Sequence, residues 1–97
     1  TYLINTSEAP ESLRKRLNIS PKAKIFTVDA TKITLEELGQ NRPNAPLLGA
    51  MSRIFTDVPA HVFAEHFVSK MSQLSQGVLD SNRRAIMRGE KEAILHE

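Results

Sequence analysis

Apolar residues fall along this chain in two short runs and several helically spaced sets, and their order lays out the elements. Tyr2-Leu3-Ile4 is a short apolar run closed by the polar Asn5-Thr6-Ser7, the pattern of a buried strand that ends in a turn. Thr6 or Ser7 is placed to cap a helix with Pro10 in its first turn, where a missing N–H costs no hydrogen bond. Leu13 and Leu17 lie four residues apart and predict one apolar face on that helix. Arg14, Lys15 and Arg16 then stand near its C-terminus, where cations meet the negative end of the dipole. Ser20-Pro21 breaks the pattern within 18–24, and 25–29 reads as a second strand. Its carboxyl end carries Asp29, and α/β proteins tend to place function at such ends.

Thr31 or Thr34 starts a short helix over 35–38, closed by Gly39, the usual left-handed stop. The two prolines of 40–46 predict a loop. Leu47, Leu48, Met51, Ile54 and Phe55 recur at helical spacing and predict a buried helix, in which Gly49 and Ala50 let another backbone come close. Asp57 with Pro59 opens the next helix, whose Phe63, Phe67, Met71 and Leu74 form a stripe read mostly as core. A last helical segment over 75–97 sets Val78, Asn82, Ala85, Gly89 and Ala93 on one face, with Leu79 and Ile86 beside them. Small residues on that face predict close docking. Arg84, Arg88 and Lys91 share another face, half neutralised by Asp80 four residues before Arg84 and Glu92 four after Arg88. His96 falls in a terminus expected to fray. The chain carries no internal repeat and no low-complexity tract.

Composition adds limits to this outline. Ninety-seven residues make one small domain or a piece of one, and 40% apolar with 25% charged residues is ordinary globular usage. Folding at this length buries only roughly 60 to 68% of the unfolded surface, so a covering partner is expected from size alone. Thirteen Lys and Arg against eleven Asp and Glu leave a net charge of +2, too small to argue for a nucleic-acid partner. No apolar run reaches membrane-spanning length, and no membrane partner is expected. With no cysteine, the chain has no disulfide, no thiolate nucleophile and no Cys ligand for an iron–sulfur cluster, which suits a reducing, cytoplasmic setting. It opens on Thr1 with neither an initiator Met nor a secretory signal, and we read it as a piece of a longer protein.

Candidate chemistry is sparse. His61 and His66 flank a segment that looks like a zinc helix, but their i,i+5 spacing sets them about 140° apart on the helix, whereas zinc-binding pairs are i,i+4. They read as surface or half-buried histidines, and no metal site is assigned. Glycines at 39, 49, 77 and 89 form no phosphate loop, and no serine lies in a nucleophile motif. Arg83, Arg84 and Arg88 suit an acidic partner or phosphates, against the plainer reading of a solvated helix face, and aromatic residues for base stacking are missing. In the loop 40–46, prolines stiffen the approach and Asn44 is suited to cap the following helix; a ligand or subunit contact is the competing role.

The order and spacing of several segments carry a family resemblance. Val28-Asp29-Ala30-Thr31-Lys32-Ile33, Leu35-Glu36-Glu37-Leu38-Gly39 and Pro43-Asn44-Ala45-Pro46-Leu47-Leu48-Gly49-Ala50 together resemble the gamma subunit, or equivalent domain, of the 2-oxoacid:ferredoxin oxidoreductases, particularly the pyruvate enzymes. Tyr2 to Thr6 is similar to that family's "Y-x-I-N-T" strand, and Asn82, Ala85, Arg88 and Gly89 to its C-terminal helix. The family's opening glycine-rich "H-G-x-G-G-Q-G" segment has no counterpart, so the resemblance is to the C-terminal half.

The resemblance implies an α/β fold, a small sheet with several packed helices, forming the second half of a larger, three-layer-like α/β domain, with 1–97 a single domain or fragment. It implies a non-catalytic structural part of an enzyme that makes acyl-CoA from a 2-oxoacid by oxidative decarboxylation, and inactivity when alone. Thiamine diphosphate, magnesium and iron–sulfur clusters would belong to other subunits of alpha, beta and delta type, with coenzyme A as cosubstrate and ferredoxin or flavodoxin taking the electrons. No catalytic residue is carried over. Asp29, Thr31, Arg42 and Asn44, at strand ends and loops of the matched segments, are the candidate subunit or ligand contacts. The alternative is a small helical binding module that engages an acidic protein or nucleic acid through Arg83, Arg84 and Arg88.

Overall fold

The computed structural model describes residues 1–70 and 75–96. Among these the chain runs β1 (Tyr2–Asn5), α1 (Pro10–Arg16), β2 (Ile25–Val28), α2 (Ala30–Leu38), α3 (Asn44–Met51), α4 (Ala60–Ser69), α5 (Gln76–Glu92) and β3 (Ile94–His96). The strands form one sheet in the order β1-β2-β3. β1 lies parallel to β2 with Tyr2 opposite Ile25 and Asn5 opposite Val28, and β3 is antiparallel to β2 with Ile25 opposite His96. The expected α/β class with a small sheet is what the chain adopts.

β2 is buried along its whole length, as expected of an apolar strand covered on both faces. α1 packs on β2 and β3, and α3 on β1 and β2. The main core joins Val28 to Ile33, Ala45, Ala50, Ala64, Ala85 and Ile86, with Leu3, Leu47, Leu48 and Phe67 partly buried against it.

Several local expectations are corrected. Neither Thr6 nor Ser7 caps α1: Ala9 holds the cap position without a side-chain bond, and Thr6 Oγ1 instead accepts from the Glu8 amide at 3.0 Å. Pro10 does stand at the first helical position. Leu13 is buried, but Leu17 is exposed because the helix ends at Arg16. Asn18 takes a left-handed φ of 54°, and the Ile19 and Asn18 amides bond back to the Arg14 and Lys15 carbonyls. This helix stop turns Ile19 into the interior in place of Leu17.

α2 starts at Ala30, directly after β2, with Asp29 as its cap rather than Thr31 or Thr34, and Gly39 ends it at φ 70° as expected. α3 begins at Asn44, so the loop is shorter than 40–46; Pro46 sits in the first turn, where its missing N–H has no intrahelical partner. Pro43, not Asn44, holds the cap position, with no side-chain bond. The buried face of α3 is its small-residue face, Ala45, Pro46, Gly49 and Ala50, while Phe55 lies beyond the helix and is exposed. In α4 the fully buried positions are Ala60, Ala64 and Val68, with Phe63 and Phe67 half-buried. Met71 and Leu74 of the expected stripe lie outside the described residues.

The most extensive helix contact is α3 against α5. A methyl group built on Gly49 would stand 1.7 Å from the Ile86 carbonyl oxygen, and one on Gly89 would stand 1.9 Å from the Pro46 carbonyl oxygen. The two helices thus meet backbone to backbone at both glycines, as the small residues predicted.

The final residues differ most from expectation. α5 ends at Glu92, Ala93 adopts extended geometry, and His96 lies in a third strand rather than a frayed helix end. Arg14 fixes it: the guanidinium donates to the Ser20 and Ala23 carbonyls and meets His96 Nδ1 at 3.2 and 3.4 Å. Arg53 holds the other end of β3, donating to the Glu90 and Ala93 carbonyls at 3.0 and 2.9 Å with its guanidinium 5.7 Å from the Phe26 ring centroid.

Candidate functional site

At the carboxyl ends of the parallel strands β1 and β2, the end of β1 is tied to the start of α2. Asn5 Oδ1 accepts from the Ala30 amide at 2.9 Å and the Thr31 amide at 3.4 Å, while Asn5 Nδ2 donates to Thr31 Oγ1 at 3.1 Å. Asp29 Oδ1 accepts from the Lys32 amide at 3.1 Å. The positive end of α2, which in many α/β proteins faces a bound anion, is therefore closed by the chain's own Asn5 and Asp29. A crevice of about 400 Å³ lies alongside, lined by Thr6, Glu8, Asp29, Lys32, Glu92 and Ile94. Asn5 is the residue the sequence reading missed here; a lone Asn ending an apolar run was the available signal. Asn5→Ala is expected to lower stability by about 1 kcal/mol, read from the urea midpoint, with Asn5→Asp recovering part through its retained acceptor. An unchanged midpoint would mean that water replaces the side chain at no cost.

Arg42 stands beyond the opposite end of α2. Its amide donates to Thr34 Oγ1 at 3.2 Å, and that buried hydroxyl donates to the Thr31 carbonyl at 3.1 Å. A cleft of about 230 Å³ opens there between α2 and α5, lined by Glu37, Leu38, Gln40, Arg42, Ser81 and Asn82. Asn82 is buried in its wall and donates to the Val78 carbonyl at 2.8 Å. Asn44 is exposed at the start of α3. The four candidate residues thus do not converge: Asp29 and Thr31 share the strand-end cluster, Arg42 lines the α2–α5 cleft, and Asn44 stands apart.

The arginines of α5 are committed to acids within the chain. Arg83 meets Glu65 and Asp80, each at 2.9 Å; Arg84 meets Glu37 at 2.9 Å; Arg88 meets Glu36, Glu37 and Glu92 at 2.9, 3.2 and 2.6 Å. Of the two ion pairs expected along the helix, Arg88 with Glu92 forms, whereas Asp80 pairs with Arg83, one residue short of Arg84. The hydrogen bond from Arg84 leads in pushing the Glu37 carboxyl below its ordinary value, with Arg88 adding to it against the effect of burial. Arg88 is raised, first by its bond to Glu92. This network ties α5 to α2 and α4 and leaves little uncompensated positive charge for an acidic partner, which weighs against the arginine-module alternative.

Glu37 gives the network a pH dependence. A carboxyl depressed in the folded state stabilises it above the ordinary value of 4.5, and that contribution is lost as pH falls through the folded-state value. Glu37→Gln is therefore expected to melt lower than the parent near pH 7 and to lose less on acidification to about pH 3, measured by thermal circular dichroism. Parallel pH curves for the two proteins would remove Glu37 as the source.

Among the described residues no group of three or more His, Cys, Asp or Glu is placed to hold a metal ion, and no helix is long and apolar enough to cross a membrane. The strand-end cluster and the α2–α5 cleft thus sit on an α/β segment with a small mixed three-stranded sheet.

No family model matches the sequence. Over 92 residues it is 39% identical to the pyruvate synthase subunit PorC of Thermotoga maritima, a match covering 93% of this chain and 46% of that protein. The PorC subunit of Methanosarcina barkeri is 42% identical over 50 residues, 52% of this chain and 25% of that protein. The crystal structure of the pyruvate oxidoreductase subunit PORC from Thermotoga maritima superposes with a TM-score of 0.85 at 38% identity, over 98% of this chain and 51% of that one. The chain is a homologue of PorC-type pyruvate synthase subunits and shares their fold over the matched segment. It spans about half the length of the Thermotoga relatives it matches.

Proposed function

We propose that this chain is a non-catalytic packing segment of a 2-oxoacid:ferredoxin oxidoreductase, acting on pyruvate and corresponding to the C-terminal half of the gamma-type subunit. The observation that carries this reading is the 39% identity maintained over 93% of the chain, together with the fold match at TM-score 0.85. The chemistry of the chain supports a division of labour: it has no cysteine to ligate an iron–sulfur cluster. Thiamine diphosphate, magnesium and the clusters then sit on subunits of alpha, beta and delta type, coenzyme A is the acyl acceptor, and ferredoxin or flavodoxin receives the electrons. The segment contributes subunit packing and closure of the reaction site from water.

Co-purification through a tag on this chain from its native source tests the reading. Retained thiamine-diphosphate and ferredoxin-type subunits, with coenzyme A-dependent pyruvate oxidation in the eluate, are expected; a chain that emerges alone overturns it.

Within this reading Asp29, Thr31, Arg42 and Asn44 face a neighbouring subunit or ligand. Arg42 and Asn44 are exposed, so their truncation leaves the core intact. Arg42→Ala with Asn44→Ala is expected to weaken assembly or raise the KM for coenzyme A several-fold while the folding stability of the isolated chain stays within about 0.5 kcal/mol of the parent. An assembled enzyme with unchanged kinetics and stability would remove both residues from the contact surface.

A further inference from the structure

We propose that the free edge of β1 is a strand-addition site, filled by an extended strand from the part of a PorC-type subunit that this chain does not cover. The proposal rests on the subunit reading above and adds where the rest of the subunit attaches. The β1 ladder fixes which backbone groups are available. The Tyr2 and Thr6 amides donate to the Lys24 and Val28 carbonyls at 2.8 and 3.0 Å, so alternation along a parallel pair turns Ile4 toward β2 and directs the N–H and C=O of Leu3 and Asn5 away from it. The Asn5 side chain is already engaged with α2, so its outward contribution is backbone alone.

Nothing in the sequence of β1 guards this edge. Tyr2-Leu3-Ile4-Asn5 contains no charge, no proline and no bulge, the devices by which exposed edges avoid pairing, and Tyr2 remains 47% exposed beside it. The opposite edge differs. β3 has only three residues, and the Ala93 carbonyl just before it is held by Arg53 and the His96 carbonyl at its end by Arg14. A very short edge strand with its flanking carbonyls engaged offers little to a further strand.

The occupant follows from coverage. The matched PORC crystal structure accounts for 98% of this chain while only 51% of that chain is matched, so nearly half of that fold is built from residues with no counterpart here. Pairing of an extended segment from that part with β1 would give Leu3 and Asn5 outward ladder bonds and make β1 an interior strand, the usual place for a strand that pairs in parallel.

Hydrogen exchange on the chain alone, and within the complex retained through its tag, tests this at single amides. In the chain alone the Leu3 and Asn5 amides should exchange quickly while those of Ile4 and Thr6 are protected; in the complex Leu3 and Asn5 should slow by at least about tenfold. A photo-reactive benzoylphenylalanine in place of Tyr2 should cross-link to a polypeptide homologous to the uncovered part of PorC. If pyruvate synthase subunits are retained but Leu3 and Asn5 still exchange quickly, the edge assignment is overturned and the subunit reading stands. Protection that rises with concentration of the pure chain assigns the edge to a second copy and overturns the proposed occupant. A tag that retains no pyruvate synthase polypeptide removes the subunit reading, and this proposal with it.

Discussion

Gly89→Ala is expected to cost about 3 kcal/mol or more of folded stability, a large share of the ~5–15 kcal/mol that holds a small domain together. The added carbon would sit 1.9 Å from the Pro46 carbonyl oxygen and 2.7 Å from its Cα, and both are backbone atoms that no rotamer change can move aside. α3 must therefore withdraw from α5, loosening the layer formed by Ala45, Ala50, Ala85 and Ile86. Gly77→Ala is the matched control in the same helix: a methyl there meets nothing within 4 Å, so helix propensity makes it neutral or stabilising by up to about 1 kcal/mol. Urea denaturation of the two variants side by side decides the matter. Equal midpoints would show that α3 and α5 relax apart freely, and that their glycines are not the reason for the close crossing.

The second large effect is expected at Arg53, whose replacement by Ala should lower stability by about 2 kcal/mol and release β3. Its guanidinium satisfies the Glu90 and Ala93 carbonyls at the end of α5, groups that have no partner within the helix. The same side chain lies over Phe26 of β2, so one residue links the helix end to the sheet. Arg53→Lys keeps the charge but loses the planar fork, and should recover only part of the loss. Hydrogen exchange at Ile94 to His96 separates local from global effects: faster exchange there without a matching change elsewhere is expected. Unchanged protection would mean that the pairing with β2 and the Arg14 contacts hold the strand without Arg53.

Elements with local chemistry were legible in the sequence. Pro10 at a helix start, Gly39 at a helix end and the apolar run of β2 each appear where the residues placed them, because each preference acts within a few neighbours. The misread positions share a different cause. Leu17 and Phe55 continue an apolar spacing past the point where their helices stop, and spacing alone does not locate a stop such as the left-handed Asn18. Asp29 was read as a strand end, and its role as a helix cap is visible only once α2 is seen to follow β2 directly. Arg14 and His96 are 82 residues apart, and no local pattern relates them. In the candidate site, Asp29 was legible as a strand-end residue and Arg42 as a loop residue, whereas Thr31 and Asn44 fall in the first turns of α2 and α3. Asn5, which closes the start of α2, was not legible, because its partners lie 25 and 26 residues away.

By itself the sequence determined an α/β chain of short strands and helices, a small-residue face on its last helix, and kinship with PorC-type subunits, since these depend on local periodicity and on the order of segments. Tertiary structure alone decided that the last residues pair as a third strand, that α5's arginines are spent on Glu36, Glu37 and Glu65, and that Arg42 and Asn44 stand apart from the cluster shared by Asp29 and Thr31. Each of those outcomes joins residues far apart in sequence, and the free energy that selects such a contact depends on what else is packed around it rather than on either residue's own preference.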